Sequence, residues 1–222
     1  MKITRLAQST VQIKNNDGRS LLFDPGSYNL DQDILEHLEL LTGDVLVVTH
    51  KHADHYCPDI LRALPPTVDN RFTIAQEDMA EPLLRELGFD VCVVKPGDRL
   101  TAKGFTLSIV GAEHIVREDV IPCFGLIVEA DGKRVYHASD TNFKDPKELG
   151  VSGDIDWVLV PFSGRGVTMD ADEAIAFVRA IGPKGAIPVH YDSPKDAHLN
   201  PVDFAKRLET ECGVKTAVLA YG

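Results

Sequence analysis

At 222 residues and 44% hydrophobic content, the chain is long enough to bury a sizeable core as one large layered domain spanning residues 1–222. Acidic residues outnumber basic ones 34 to 23, and the formal charge of -11 argues against a protein that blankets nucleic acid polymers or anionic lipid with lysine and arginine. The opening "MKITRLAQSTVQI" has no basic-then-apolar leader, and no apolar run approaches the roughly 20 residues of a membrane span, so a cytoplasmic protein without membrane contact is expected.

In chain order, "VQI", "SLLF" and "DVLVV" read as strands, and "PDILRAL" and "EDMAEPLLRELG" read as helices. Strands follow at "VCVV", "FTLSIV", "FGLIVEA", "RVYHA" and "WVLV". A helix at "DADEAIAFVRAIGP" starts with a capping-box pattern at Asp170 and Glu173 and stops at Gly182-Pro183. After the strand "AIPV", a last helix opens at Asn200-Pro201 in "NPVDFAKRLE", and "TAVLA" is a final strand. Several strands are apolar throughout, the pattern of sheet covered on both faces. Cys57, Cys92, Cys123 and Cys212 are scattered without a C-x-x-C pair and read as separate reduced thiols.

The histidines concentrate where strands end. His50 follows "DVLVVT", His114 lies three residues past "FTLSIVG", Asp140 three past "RVYH", and His190 directly follows "AIPV". In α/β folds the carboxyl ends of strands converge on one edge and build sites there. Within "THKHADH", His50 and His52 are two apart and project to one side of an extended segment, and Asp54 and His55 follow after the small Ala53. A histidine standing alone in such a place is usually a hydrogen-bonded core or surface residue. Four coordinating side chains in six positions after a buried strand are costly to desolvate unless a cation pairs with them. Imidazole and carboxylate without thiolate suit Zn²⁺, Mn²⁺ or Fe²⁺ in a catalytic site better than a closed structural zinc.

With these motifs the chain resembles the metallo-β-lactamase fold superfamily: "THKHADH" is similar to its T-H-x-H-x-D-H signature, and His114, the Asp140 of "HASDT" and the His190 of "PVHYD" match its later ligand motifs in order. "LLFDPG" and the stretch "PFSGRGVTMDADEAIAFVRAIGPKGAIPVHYD" resemble its small uncharacterised metal-dependent hydrolases and their L-ascorbate 6-phosphate lactonase-like relatives. The resemblance implies an α/β fold, an αββα sandwich of two mixed sheets flanked by helices. It implies two divalent ions, zinc first with manganese or iron as alternatives, the first on His50, His52 and His114, the second on Asp54, His55 and His190, with Asp140 bridging.

Two such ions present a bridging hydroxide to a small ester, lactone or phosphoester, with Asp54 as the catalytic group that orients it and takes its proton. Asp24 either fixes the ligand loop by hydrogen bonding or is a plain strand-to-turn Asp-Pro. Gln8 stands where many members have histidine and is a polar candidate behind the ligands. Arg165, Tyr191 and His198 are candidates for contact with a small, anionic substrate. A phosphodiesterase or nuclease acting on nucleotides, a non-catalytic metal-dependent binding module and a diiron oxidase remain the alternatives, and homo-oligomerisation stays open.

Overall fold

The computed structural model describes residues 1–30, 41–64, 72–75, 81–163, 166–192 and 199–220. It divides into two compact units, one built mainly from Met1–Val94 with Thr101–Phe105, the other from Lys95–Leu100 with Thr106–Leu219.

The first unit holds a six-stranded sheet in the order β1-β2-β3-β4-β5-β6. These are β1 (Lys2–Arg5), β2 (Val11–Lys14), β3 (Ser20–Phe23), β4 (Val45–Val47), β5 (Phe72–Ala75) and β6 (Asp90–Val93). β1, β2 and β3 form an antiparallel meander, whereas β3 through β6 run parallel. β3 and β4 are buried along their whole length, as expected for apolar runs covered on both faces. Helix α1 (Pro58–Ala63) buries Ile60 and Leu61 against Leu22, Leu46, Val48, Leu84 and Val91, and α2 (Glu81–Glu86) adds Leu84 to the same core. α1 stops at Leu64 because the residue before a proline is pushed out of helical backbone, and Leu64 precedes Pro65. The "EDMA" start of the helix expected over 77–88 includes residues outside the described ones.

The second unit contains most of a seven-stranded sheet in the order β15-β14-β13-β12-β11-β8-β7, and a separate two-stranded hairpin. Its strands are β7 (Arg99–Ala102), β8 (Phe105–Gly111), β11 (Phe124–Ala130), β12 (Lys133–His137), β13 (Trp157–Pro161), β14 (Gly185–Val189) and β15 (Lys215–Thr216). The hairpin joins β9 (His114–Val116) to β10 (Asp119–Ile121). β12 to β15 are parallel, and β8 and β12 each pair antiparallel with β11, so β8, β12, β13 and β14 all point one way.

Helix α3 (Ala171–Ile181) realises the expected capping box: the Asp170 carboxylate accepts the N–H of Asp172 and Glu173, each at 2.9 Å, and Glu173 accepts the Asp170 N–H at 3.0 Å. Its buried face of Ala174, Ile175, Phe177 and Val178 joins Tyr136, Val158, Val160 and Ala186 in the core. Helix α4 (Pro201–Cys212) is capped by Asn200, which accepts the N–H of Val202 and Asp203, and adds Phe204 and Leu208 to that core.

Three readings of the sequence are corrected. "TAVLA" contributes only Thr216 to a strand: β15 ends there and the ladder beside β14 closes with the Ala217 N–H on the Ala186 carbonyl. β1, β5, β7, β9 and β10 went unread, and β1 and β7 carry basic and half-exposed residues rather than an apolar run. Finally, the His50–Asp54 segment is loop rather than extended strand.

The capping box is the local feature of α3 most open to test. Asp170→Ala is expected to lower unfolding free energy by about 1 kcal/mol, the usual value of an N-cap, as a reduced midpoint in urea with unchanged slope.

Candidate metal centre

In the first unit, β3 and β4 are parallel neighbours, so Asp24, one residue past β3, and Thr49 and His50, just past β4, leave the sheet side by side. Asp24 is fully buried, and a carboxylate in that position must have its oxygens occupied. Oδ1 accepts the Thr49 N–H at 2.8 Å. Oδ2 accepts the Thr49 hydroxyl at 2.8 Å and lies 2.9 Å from His55 Nδ1. A carboxylate there requires the proton on Nδ1, which leaves the lone pair of His55 on Nε2.

The same logic passes to His50. Thr49 gives its hydroxyl proton to Asp24, so toward His50 Nδ1, 3.2 Å away, it can only accept, and His50 also keeps its lone pair on Nε2. That atom lies 3.1 Å from His52 Nδ1, and His55 Nε2 lies 3.8 Å from Asp54 Oδ2.

Gly26 gives the loop its close seat. A methyl group at this position would fall on the Asp54 carbonyl group and crowd the His55 nitrogen, while the Ser27 N–H donates to the Ala53 carbonyl at 2.6 Å. Glycine is needed here for space rather than for φ. The β1–β2 turn opens at the same edge, because Val11 at the start of β2 pairs with Phe23 at the end of β3. Thr10 in that turn donates its hydroxyl to the Asp24 carbonyl at 2.7 Å. Gln8, also in the turn, is buried, and its side-chain oxygen meets no hydrogen-bond partner among the described residues.

In the second unit, the parallel direction of β8, β12 and β14 brings their carboxyl ends to one edge, where His114, Asp140 and His190 stand. Asp140 is 1% exposed, and its Oδ2 lies 3.9 Å from His114 Nε2 and 3.3 Å from His190 Nε2. His190 is held on both sides: Val189 belongs to β14, and the buried Tyr191 packs its ring 5.7 Å from that of Phe162 within the apolar core. His137 is buried with its Nδ1 accepting the Ser139 N–H at 3.1 Å, and the Ser139 hydroxyl lies 3.2 Å from Cys123 Sγ.

Backbone strain marks these exits. Among the described non-glycine residues, those with positive φ include Asp24 (48°), which follows β3 and bonds to the ligand loop, and Ser139 (56°) and His190 (63°), which lie just past strands that lead into ligand candidates. A non-glycine residue in this region costs roughly 1–3 kcal/mol and persists where the surroundings dictate it, commonly at functional sites.

The donor set of each unit fits a divalent cation. Two donors each about 2.1 Å from one ion can be at most about 4.2 Å apart, and the pairs described above, at 3.1, 3.8, 3.9 and 3.3 Å, all meet that limit. All are imidazole nitrogen or carboxylate oxygen, and His55 donates its other ring nitrogen to a carboxylate, as metal-binding histidines commonly do. Arg165 and His198 lie outside the described residues. Sequence reasoning missed Gly26 and Thr49, although Gly26 was legible as the glycine of Asp-Pro-Gly directly after a buried strand.

Residues 2–190 match the family described as the beta-lactamase superfamily domain. A UPF0173 metal-dependent hydrolase of Staphylococcus carnosus is 30% identical over 217 residues, covering 93% of this chain and 92% of that protein. Igni18, a metallo hydrolase from the archaeon Ignicoccus hospitalis, has a similar structure with a TM-score of 0.79 at 23% identity, covering 99% of this chain and 95% of that one. The metallo-β-lactamase fold protein YhfI from Bacillus subtilis gives 0.72 at 18% identity, with 97% and 90% covered. These likenesses establish the expected fold class. No helix among the described residues is long and apolar enough to cross a membrane.

The packing of Gly26 against the ligand loop yields a direct test. Gly26→Ala must push the Asp54–His55 backbone away, and it is expected to destabilise the protein by about 1–3 kcal/mol, the usual range for overpacking. Chemical denaturation of the metal-free variant measures this, and a loss below about 0.5 kcal/mol would show that the loop yields freely.

Proposed function

We propose a two-ion reaction centre for this chain, which belongs to the beta-lactamase superfamily and is a metal-dependent hydrolase. In this reading His50, His52 and His114 hold one ion, Asp54, His55 and His190 hold the other, and Asp140 binds both. The assignment follows the order of the motifs along residues 1–222, which we read as one functional domain. The observation that carries it is Asp140: a carboxylate 1% exposed, with one oxygen within 4 Å of two imidazole nitrogens, one from the start of β9 and one from just past β14. Zinc is the proposed ion, with manganese or iron as alternatives. When bound, such ions lower the pKa of a coordinated water toward about 7 and polarise the carbonyl or phosphoryl oxygen under attack.

The chain's own residues supply the rest. The Asp54 side chain is 24% exposed where His55 is 2% exposed, so its carboxylate can meet incoming water. It orients that water and takes its proton as the new bond to carbon or phosphorus forms, and the proton then passes to the oxygen that leaves. Asp24 and Thr49 hold the rings of His50 and His55 in the tautomers that binding requires, and Gln8 supplies a polar group at the same edge. The substrate proposed is a small cytoplasmic ester, lactone or phosphoester. Arg165 is proposed to pair with an anionic group, offsetting the repulsion of a protein of formal charge -11, and His198 is a further proposed contact, whereas the ring of Tyr191 is taken up by the apolar core. A hydrolysis screen over lactones, thioesters, phosphomonoesters and phosphodiesters, with and without chelator, tests this reading. Chelator-sensitive turnover of a small ester supports it, and activity confined to phosphodiesters would replace it with the nucleotide alternative.

Elemental analysis of zinc-reconstituted protein is expected to give two ions per chain, and Asp140→Ala to lose at least one. Saturation of the unaltered protein by a single ion would remove the bridging role.

Asp54→Asn keeps the size and one coordinating oxygen of the side chain. Once a substrate is in hand, it is expected to reduce kcat by about 100-fold or more with KM changed far less. Equal turnover at full metal occupancy would take Asp54 out of the proton transfer.

A further inference from the structure

We propose that Thr141 and Asn142 are positioning residues that lock His114 in register with Asp140 and thereby set the affinity of one of the two ions. This rests on the ligand reading above. The need for such a lock comes from the topology. Asp140 and His190 follow β12 and β14, inside the seven-stranded sheet, whereas His114 lies in β9, whose only ladder among the described residues is the short hairpin with β10. The main sheet therefore does not place His114 directly.

Its chain neighbours are tied instead to the loop that follows Asp140. The Glu113 N–H donates to Thr141 Oγ1 at 3.0 Å, and the Ile115 N–H donates to Asn142 Oδ1 at 2.8 Å. The Asn142 N–H returns to the Glu113 carbonyl at 2.7 Å. Thr141 gives its own hydroxyl proton to the Asn142 carbonyl at 2.9 Å, so its oxygen is oriented to accept from Glu113. His114 is bracketed on both sides, and it cannot slip along the chain relative to Asp140 without breaking at least one of these bonds. Thr141 is fully buried, so its hydroxyl has no water to fall back on. The Lys144–Glu113 ion pair at 2.7 Å lies over the same junction, but both side chains are 35% exposed, and such pairs contribute little.

The groups that orient a ligand tune its ion, and their removal typically weakens binding 10- to 100-fold. The test is a Co²⁺ titration of metal-free full-length protein, followed by visible absorption and calorimetry, with thermal unfolding of each metal-free form alongside. Thr141→Val, which removes only the hydroxyl, and Asn142→Leu, on a partly exposed residue, are each expected to weaken one Co²⁺ equilibrium about 10-fold or more while the other stays at its unaltered value. Thr141→Ser restores the hydroxyl and is expected to restore the affinity. If either variant folds poorly, the other carries the measurement.

Two results would overturn the lock: both equilibria unchanged in Thr141→Val and Asn142→Leu, or both weakened equally in step with the unfolding temperature. His114→Ala separates this failure from failure of the ligand assignment. Loss of an ion in His114→Ala, with both retained in Thr141→Val and Asn142→Leu, defeats the lock alone. A His114→Ala protein that binds both ions normally defeats the assignment and the lock together.

Discussion

The buried carboxylate of Asp24 is the constraint around which the first unit's ligand loop is built. A charge with no solvent exposure is tolerated only when its lone pairs are occupied by donors, and here the donors are the Thr49 N–H, the Thr49 hydroxyl and His55 Nδ1. Satisfying that one acid determines how the chain leaves β4 and where His55 sits. It also determines which nitrogens of His50 and His55 retain lone pairs. Geometry and protonation are therefore one problem, because a rotation of Thr49 that freed its hydroxyl would remove a donor from Asp24 and undo the His50 tautomer together.

The second unit meets the same demand by other means. Asp140 is nearly as buried as Asp24, but it faces the imidazoles of His114 and His190. Its loop is fixed by backbone N–H groups donating to Thr141 and Asn142, and by the left-handed turn at Ser139, whose hydroxyl lies beside Cys123. His190 takes its position from a central strand before it and a core aromatic after it. Tyr191 packs on Phe162, which in turn stacks on Phe204 of α4 at 4.0 Å between ring centroids. The residue next to a ligand candidate is thus shared with the core, and packing in α4 is coupled to the placement of His190.

The strain at Asp24, Ser139 and His190 has a common origin. Each stands where a buried strand must turn at once so that a polar side chain remains at the sheet edge, and a left-handed residue makes that turn in the fewest positions. The energy to hold them comes from the apolar cores of each unit and from capped helices such as α3 and α4, whose local interactions agree with their burial pattern.

What could be read from the sequence was what is local in it. The capping box at Asp170, the Asn200 cap and the apolar strands were legible because their determinants lie within a few residues. The dense hexad from His50 to His55 stood out because such crowding has few stable explanations without a cation. The edge strands β1 and β7 were not legible, since half-exposed strands with basic residues lack the apolar run that marks a buried one. Neither was the end of β15, which depends on how far β14 offers a partner. Only the tertiary structure decided that Gly26 must be glycine because the Asp54 backbone crosses it, that Asp24 serves His55 rather than merely turning the chain, and that Thr141 and Asn142 bracket His114. Each of these joins residues 27 to 31 positions apart, and that proximity is created by strand order and direction, which no short window of sequence contains.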